Sequence, residues 1–355
     1  MDGHDASGKP LLTECDAKAV VVLAAAAPEP RRVQAAGLKF PDVLAFLVVG
    51  IVLGDAGFHV VHVSLASQAS GIVIALAASV ILYECGHDLD REHVGSAWRS
   101  LLSLVTIGVV VTAGLAAYAS TLAFGWDWRT ALLFGTIVAA TDPAAVIPVM
   151  RQSGVSVRIS NVAQAESALN DVIGAVLTIF ALAIVQGSRF SMPAAVSTVA
   201  VTLLYGAAFA AGLMHRGEKQ PMFVALTFVA RFVVFVLLGA ALDPAAAALP
   251  WLATALFAGV FMLVIRPIAV FASLWLDREH RWNLRELLML SWVRETGVMS
   301  AALAANVAAL AIPGSGAIVG KTTAIIVATV VIQGLTTGAF ARALGVASGR
   351  PASET

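Results

Sequence analysis

Hydrophobic residues run along this chain in blocks at roughly 17 to 27, 42 to 62, 66 to 86, 97 to 123, 129 to 150, 162 to 186, 191 to 214, 221 to 242, 245 to 276, 284 to 312 and 317 to 345. An α-helix rises about 1.5 Å per residue and a bilayer core is about 30 Å thick, so a span needs about 20 apolar residues. The blocks predict an all-α polytopic membrane protein with about eleven spans. The first block is only about a dozen residues and Ala-rich, which predicts a degenerate span. It lacks the charge, core and cleavage pattern of a signal peptide.

The polar stretches between blocks set the orientation, because Lys and Arg collect on the cytoplasmic side. Odd-numbered loops and the C-terminus carry fourteen of them: Arg31, Arg32, Lys39, Arg91, Arg99, Arg151, Arg158, Arg216, Lys219, Arg278, Arg281, Arg285, Arg342 and Arg350. Even-numbered loops carry three, Arg129, Arg189 and Lys321. This bias predicts a cytoplasmic C-terminus and an external N-terminus.

Composition agrees with the pattern. Of 355 residues, 59% are apolar and 12% charged, with mean hydropathy +0.88. Soluble chains carry about 25% charged residues. Net charge is zero, which gives no reason to expect a nucleic-acid partner. Two cysteines, Cys15 and Cys85, exclude a disulfide framework and a cysteine metal cluster. There is no HExxH, Walker loop, nucleophile constellation or cofactor fingerprint. The expected activity is therefore not enzymatic and needs no cofactor.

Charge inside the blocks is costly, about 2.5 to 3.5 kcal/mol per residue at a span centre, and calls for partners or a function. Asp142, Glu166, Asp171, Arg231, Arg266, Arg294 and Glu295 all lie within apolar blocks. Most fall eight to ten residues from a cytoplasmic end, which places them in one layer about 12 to 15 Å deep. Four acids against three bases leave one carboxylate over, as a site that alternately holds a proton or a monovalent cation requires. Structural ion pairing is the competing explanation.

Two segments concentrate these residues. In Thr141-Asp142-Pro143-Ala144-Ala145-Val146-Ile147-Pro148, two prolines lack backbone donors, so the helix should break there. A broken span is tolerated where it lines a cavity, and its freed carbonyls can coordinate a cation. A simple proline kink would carry the same sequence. In Glu166-Ser167-Ala168-Leu169-Asn170-Asp171, the residues Ser167, Asp171, Gly174 and Thr178 share one helical stripe. That stripe fits either a cavity wall or small-residue helix packing.

A shift of 153 residues lays Gly86-His87-Asp88-Leu89-Asp90 on Gly239-Ala240-Ala241-Leu242-Asp243, and Asp142 on Glu295. The two copies have opposite expected topology, which points to the inverted repeats of secondary transporters. Trp292-Val293-Arg294-Glu295-Thr296-Gly297-Val298 is then the partner broken helix, unwinding at Gly297.

At these residues the chain resembles the monovalent cation/proton antiporters, specifically NhaP-type sodium (or potassium)/proton exchangers. The family's Thr-Asp on its broken fifth helix matches Thr141 and Asp142, and its Glu-Ser and Asn-Asp on the sixth match Glu166, Ser167, Asn170 and Asp171. Pro41-Asp42 and Tyr83-Glu84-Cys85-Gly86 resemble the family's start of helix two and end of helix three. The likeness covers about residues 38 to 345.

The resemblance implies an inverted-repeat antiporter fold with two crossing broken helices, and exchange of Na+ or K+ for H+ by alternating access. Asp171 is then the carrier of proton or cation, with Ser167, Thr141 and Asp142 at the ion. Glu166 pairs with Arg294, and Asn170 caps or cross-links the broken helices. The Asn-Asp form implies electroneutral exchange. A homodimer in a bacterial plasma (inner) membrane, serving pH homeostasis, is also implied. Expected boundaries are an atypical N-terminus at 1–37, an antiporter domain at 38–345 with repeats of about 38–186 and 207–345, and a short tail at 346–355.

Three features depart from the family. Glu295 follows Arg294 where the family has Gly. Its expected role is accessory, answering Arg231, Arg266 or a helix N-terminus. Tyr205 to Leu213 reads as helix seven joined to the end of helix nine, so that two helices are missing. The N-terminal 37 residues make a poor first helix. A shortened, inactive or sensor-like homologue, or a gated cation channel, therefore stands as the alternative function.

Overall fold

The computed structural model describes residues 42–61, 63, 67–87, 97–142, 146–188, 191–193, 197, 221–241, 251–275, 277, 282–310, 312 and 314–347. Its long elements are helices: α1 (Asp42–Leu53), α2 (Gln68–His87), α3 (Trp98–Phe124), α4 (Trp128–Ala139), α5 (Val146–Gln152), α6 (Val157–Gln186), α7 (Pro221–Ala240), α8 (Trp251–Leu274), α9 (Leu284–Trp292), α10 (Val298–Ala309) and α11 (Ser315–Leu344). Four of them, α3, α6, α8 and α11, are long and apolar enough to cross a membrane unaided. The blocks at 129 to 150 and 284 to 312 each form two short helices, α4 with α5 and α9 with α10. The block at 17 to 27, nearly all of that at 191 to 214, the 1–37 segment and the compared Leu-Asp pairs lie outside the described residues.

The helices form two packed groups. In one, α7 lies on α1 and α2 around Leu44, Leu47, Phe232 and Phe235. Here α1 and α7 touch backbone to backbone. A Cβ on Gly50 would stand 2.3 Å from the carbonyl oxygen of Val236, and one on Gly239 would stand 2.4 Å from that of Leu47. Close approach through small residues is how helices pack tightly where lipid supplies no hydrophobic drive. The second group joins α3, α4, α6, α8, α9, α10 and α11 through cores centred on Phe134, Phe257 and Phe261, and on Met150, Val270 and Leu290. The groups meet where α2 packs on α10 and α6.

Two long helices carry a π-helical turn, Leu104–Gly108 in α3 and Phe261–Ile265 in α8. Such a turn widens the helix locally and often marks a functional site. Both lie on the path of a buried arginine, as described below.

Helix α4 ends at Ala139, whose carbonyl is the one that Pro143, lacking an N–H, could not have bonded, and Ala140 is extended (ψ 132°). Pro148 sits in the first turn of α5, where the backbone N–H groups have no intrahelical acceptor and a missing donor is harmless. It starts the second half-helix instead of breaking the first. The second break runs from Val293 to Gly297. Gly297 has φ −141°, outside the left-handed region, so its freedom to adopt positive φ is not what places it there. Space is the reason: a Cβ on Gly297 would lie 2.2 Å from Cβ of Asp142.

Candidate functional site

The breaks face each other. The backbone N–H of Asp142 donates to the carbonyl of Glu295 at 2.9 Å, so one unwound strand hydrogen-bonds to the other. Backbone freed by the breaks is satisfied by side chains from flanking helices, as a membrane interior demands. From α6, Asn170 Oδ1 accepts from the N–H of Thr141 (3.1 Å), its Nδ2 donates to Thr141 Oγ1, and Ser167 Oγ donates to the Thr141 carbonyl (2.6 Å). From α11, Thr329 Oγ1 accepts from the N–H of Thr296 (3.3 Å). Ser300 on α10 donates to the carbonyl of Ile137 (2.7 Å) at the end of α4. Asp142 Oδ2 accepts from the N–H of Val298 at 3.4 Å, a carboxylate at the N-terminus of α10 where the helix dipole favours it.

Charged side chains surround this crossing. Arg294 Nη2 stands 2.7 Å from Glu166 Oε1, with both residues buried. The same Glu166 oxygen accepts from Asn170 Nδ2 at 2.9 Å, which ties the ion pair to the Thr141 link. Gly108, at the end of the π-turn of α3, lies against Arg294: a Cβ there would meet Arg294 Nη1 at an ordinary 3.7 Å but crowd Ser273 Oγ at 2.9 Å. Arg266 follows the π-turn of α8 and is fully buried. Its Nη2 donates to the Val138 carbonyl (3.4 Å) and Thr296 Oγ1 (3.3 Å), and its guanidinium lies 4.4 Å from the Phe261 ring centre. A cation at the C-terminal end of α4 complements that half-helix.

Asp171 lies one turn beyond Ser167 and is 9% exposed. Among the described residues its Oδ1 has no hydrogen-bond partner. It lines a small cavity with Asp142, Ser167, Ala168, Val298, Met299 and, from the other helix group, Ala78 and Ile81 of α2. The α6 stripe serves both purposes raised by its sequence. Ser167 and Asp171 face this cavity, whereas a Cβ on Gly174 would lie 3.3 Å from Cβ of Ala140, so the stripe's next turn is helix packing.

This arrangement resembles known proteins. The sequence profile described as "Sodium/hydrogen exchanger, transmembrane" matches residues 20–217 and 207–343, nearly the whole chain. The chain belongs to the sodium/hydrogen exchanger family. Its relatives include NhaP antiporters. It is 24% identical over 360 residues to the K(+)/H(+) antiporter NhaP of Alkalimonas amylolytica, covering 85% of this chain and 62% of that one. It is 28% identical over 194 residues to Sodium/hydrogen exchanger 7 of Arabidopsis thaliana, covering 48% of this chain and 17% of that one. The chain thus spans less than two thirds of the length of these curated relatives. In fold it matches the sodium proton antiporter MjNhaP1 of Methanocaldococcus jannaschii with TM-score 0.68 at 18% identity, over 90% of this chain and 97% of that one.

Of the charged and polar residues singled out in this exchanger-family sequence, Thr141, Asp142, Glu166, Ser167, Asn170, Asp171, Arg266, Arg294 and Glu295 converge on the crossing or the helix ends beside it. Arg231 is half-buried on α7, whose main partners are α1 and α2. Sequence reasoning passed over Thr296, Ser300 and Thr329, since hydroxyls are unremarkable in apolar helices. Their signal is spacing: Thr296 and Ser300 flank Gly297 by one residue and three. The side chains of Tyr83, Glu84 and Cys85 lie outside the described residues.

Proposed function

We propose that the chain exchanges a monovalent cation, Na+ or K+, for H+ by alternating access, with Asp171 as the carboxylate for which the two compete. One observation carries this reading: a buried carboxylate oxygen without a hydrogen-bond donor lines a cavity that also holds Ser167 and Asp142. Either a proton or a dehydrated cation neutralises such a group, and each removes the charge the other needs. Ser167 Oγ, the Thr141 carbonyl and Asp142 supply further oxygens, the ligand type that hard cations take. The Glu166–Arg294 pair and Asn170 hold α6 against the crossing. The Asn170-Asp171 sequence supports electroneutral stoichiometry.

Ala78 and Ile81 close the cavity from the α1–α2–α7 group, so relative movement of the two groups would change the side from which Asp171 is reached. Such rocking around a fixed mid-membrane site is the general mode of inverted-repeat transporters. Placement in a bacterial inner membrane with a cytoplasmic C-terminus, assembly as a homodimer, and a role in pH homeostasis belong to the same proposal.

The test is dequenching of a pH-sensitive dye in proteoliposomes on addition of each alkali cation. Proton movement on adding Na+ or K+ supports exchange. Cation flux uncoupled from protons would make the protein a channel. Silence with every cation would favour an inactive or sensor-like homologue. One observation favours that second reading: the two segments matching the family meet at 207–217, beside the Tyr205 to Leu213 junction where two helices are missing from the sequence pattern.

A further inference from the structure

A second cavity lies on the opposite face of α6 from Asp171. It is small and is lined by Leu104, Val162, Ala163, Glu166, Val270, Leu290 and Arg294. Among the described residues, its walls are apolar apart from the ion pair. Arg294 is 3% exposed, and among the described residues its Nε and Nη1 have no hydrogen-bond partner. Buried donors left this way are costly enough that they are normally satisfied by protein or by ordered water.

We propose that this cavity is a hydration site, in which an ordered water accepts from Arg294 Nε or Nη1 and donates to the Glu166 carboxylate. The chemistry of the walls selects this ligand. A guanidinium has only donors, which excludes a cation. Glu166 already balances the charge of Arg294, so an anion would stand uncompensated among apolar side chains. A neutral molecule that both accepts and donates satisfies both partners, and the space has room for about one water.

The site follows from the fold. Leu104 opens the π-turn of α3, whose last residue, Gly108, lies against the guanidinium. Val162 and Ala163 precede Glu166 by about one turn, on a different face from Ser167, Ala168 and Asp171. The ion pair is thus solvated from a compartment separate from the cation cavity. This inference stands on the Arg294 geometry alone and holds whether or not the protein proves to be an active exchanger.

The test uses two substitutions of Val162, which is 2% exposed, in the full-length protein in detergent or nanodiscs, read by thermal unfolding. Val162→Ile adds one methylene, and Val162→Thr replaces a methyl by a hydroxyl of the same shape. With water present, Ile crowds it out and leaves Arg294 unsatisfied, so Tm falls by a few degrees, while Thr gives the water another partner and leaves Tm unchanged. In a dry cavity the order inverts: Ile fills a void and holds or raises Tm, whereas Thr strands a hydroxyl and lowers it. That inverted order would overturn the proposal. A high-resolution density map lacking a feature within hydrogen-bond distance of Arg294 Nε and Nη1 would do so independently.

Discussion

Asp142 meets Gly297 at the point where the two unwound strands pass. Asp142 Cβ occupies the volume that a side chain on Gly297 would need, at 2.2 Å from the ideal Cβ position. The neighbouring bond from the Asp142 N–H to the Glu295 carbonyl depends on the same approach. Gly297→Ala should therefore separate the strands. Overpacking of this kind costs about 1 to 3 kcal/mol. A clear drop in Tm and at least a tenfold loss of exchange are expected; wild-type values for both would show that the crossing tolerates a side chain.

Asp171→Asn should abolish exchange and leave membrane insertion and folding intact. An amide neither releases a proton nor balances a cation, yet it has nearly the same shape. Dye dequenching in vesicles, with size-exclusion elution as the folding control, reads both. Ordinary exchange by this variant would remove Asp171 from the carrier role.

The Glu166–Arg294 pair, 2.7 Å apart and buried, makes a prediction about coupling. Removing one partner leaves an uncompensated buried charge, which costs about 3 to 5 kcal/mol, whereas removing both avoids it. Glu166→Gln and Arg294→Met should each be strongly destabilised, and the double variant should lose less than the sum. A double-mutant cycle on Tm measures this, and strict additivity would argue against energetic coupling.

Glu295 is buried and its backbone carbonyl is held by Asp142, which suits a structural part. Glu295→Gln should lower Tm while the pH midpoint of exchange, and its insensitivity to membrane voltage, stay unchanged. Voltage-dependent exchange that becomes voltage-independent in this variant would instead make Glu295 a second proton carrier.

Asp127 lies before α4, and its side chain accepts from the N–H groups of Arg129 and Thr130. The Thr130 hydroxyl, those N–H groups and the nearby Arg129 hold its carboxyl below the usual Asp range. A lowered folded pKa contributes stability above the unfolded value of about 3.9, which is lost as pH falls through the folded value. Asp127→Ala should cost about 1 kcal/mol near neutral pH, the usual worth of an N-cap. The difference from wild type in thermal unfolding should shrink as the pH falls below about 3.9; a difference that stays constant to acid pH would show that the cap acts without its charge.

Membrane residence and the approximate limits of most described helices were legible in the chain, because lipid leaves a helix few ways to be anything but continuously apolar over a fixed length. Glu166-Ser167 and Asn170-Asp171 were legible for the complementary reason: buried charge is expensive, so its presence marks a purpose. The breaks themselves were readable as regions but not as mechanisms. Pro148 looked like a breaker and is the start of a half-helix, and Gly297 looked like a flexible point and is a point of contact. The place of Pro148 follows from its position in the helix, but that of Gly297 is decided by what lies opposite in space, Asp142, more than 150 residues away. Tertiary structure likewise decided that Arg266 reaches the end of α4, which the apolar pattern does not show. A period along one helix records which face is buried, and only the packing of helices determines which buried faces meet.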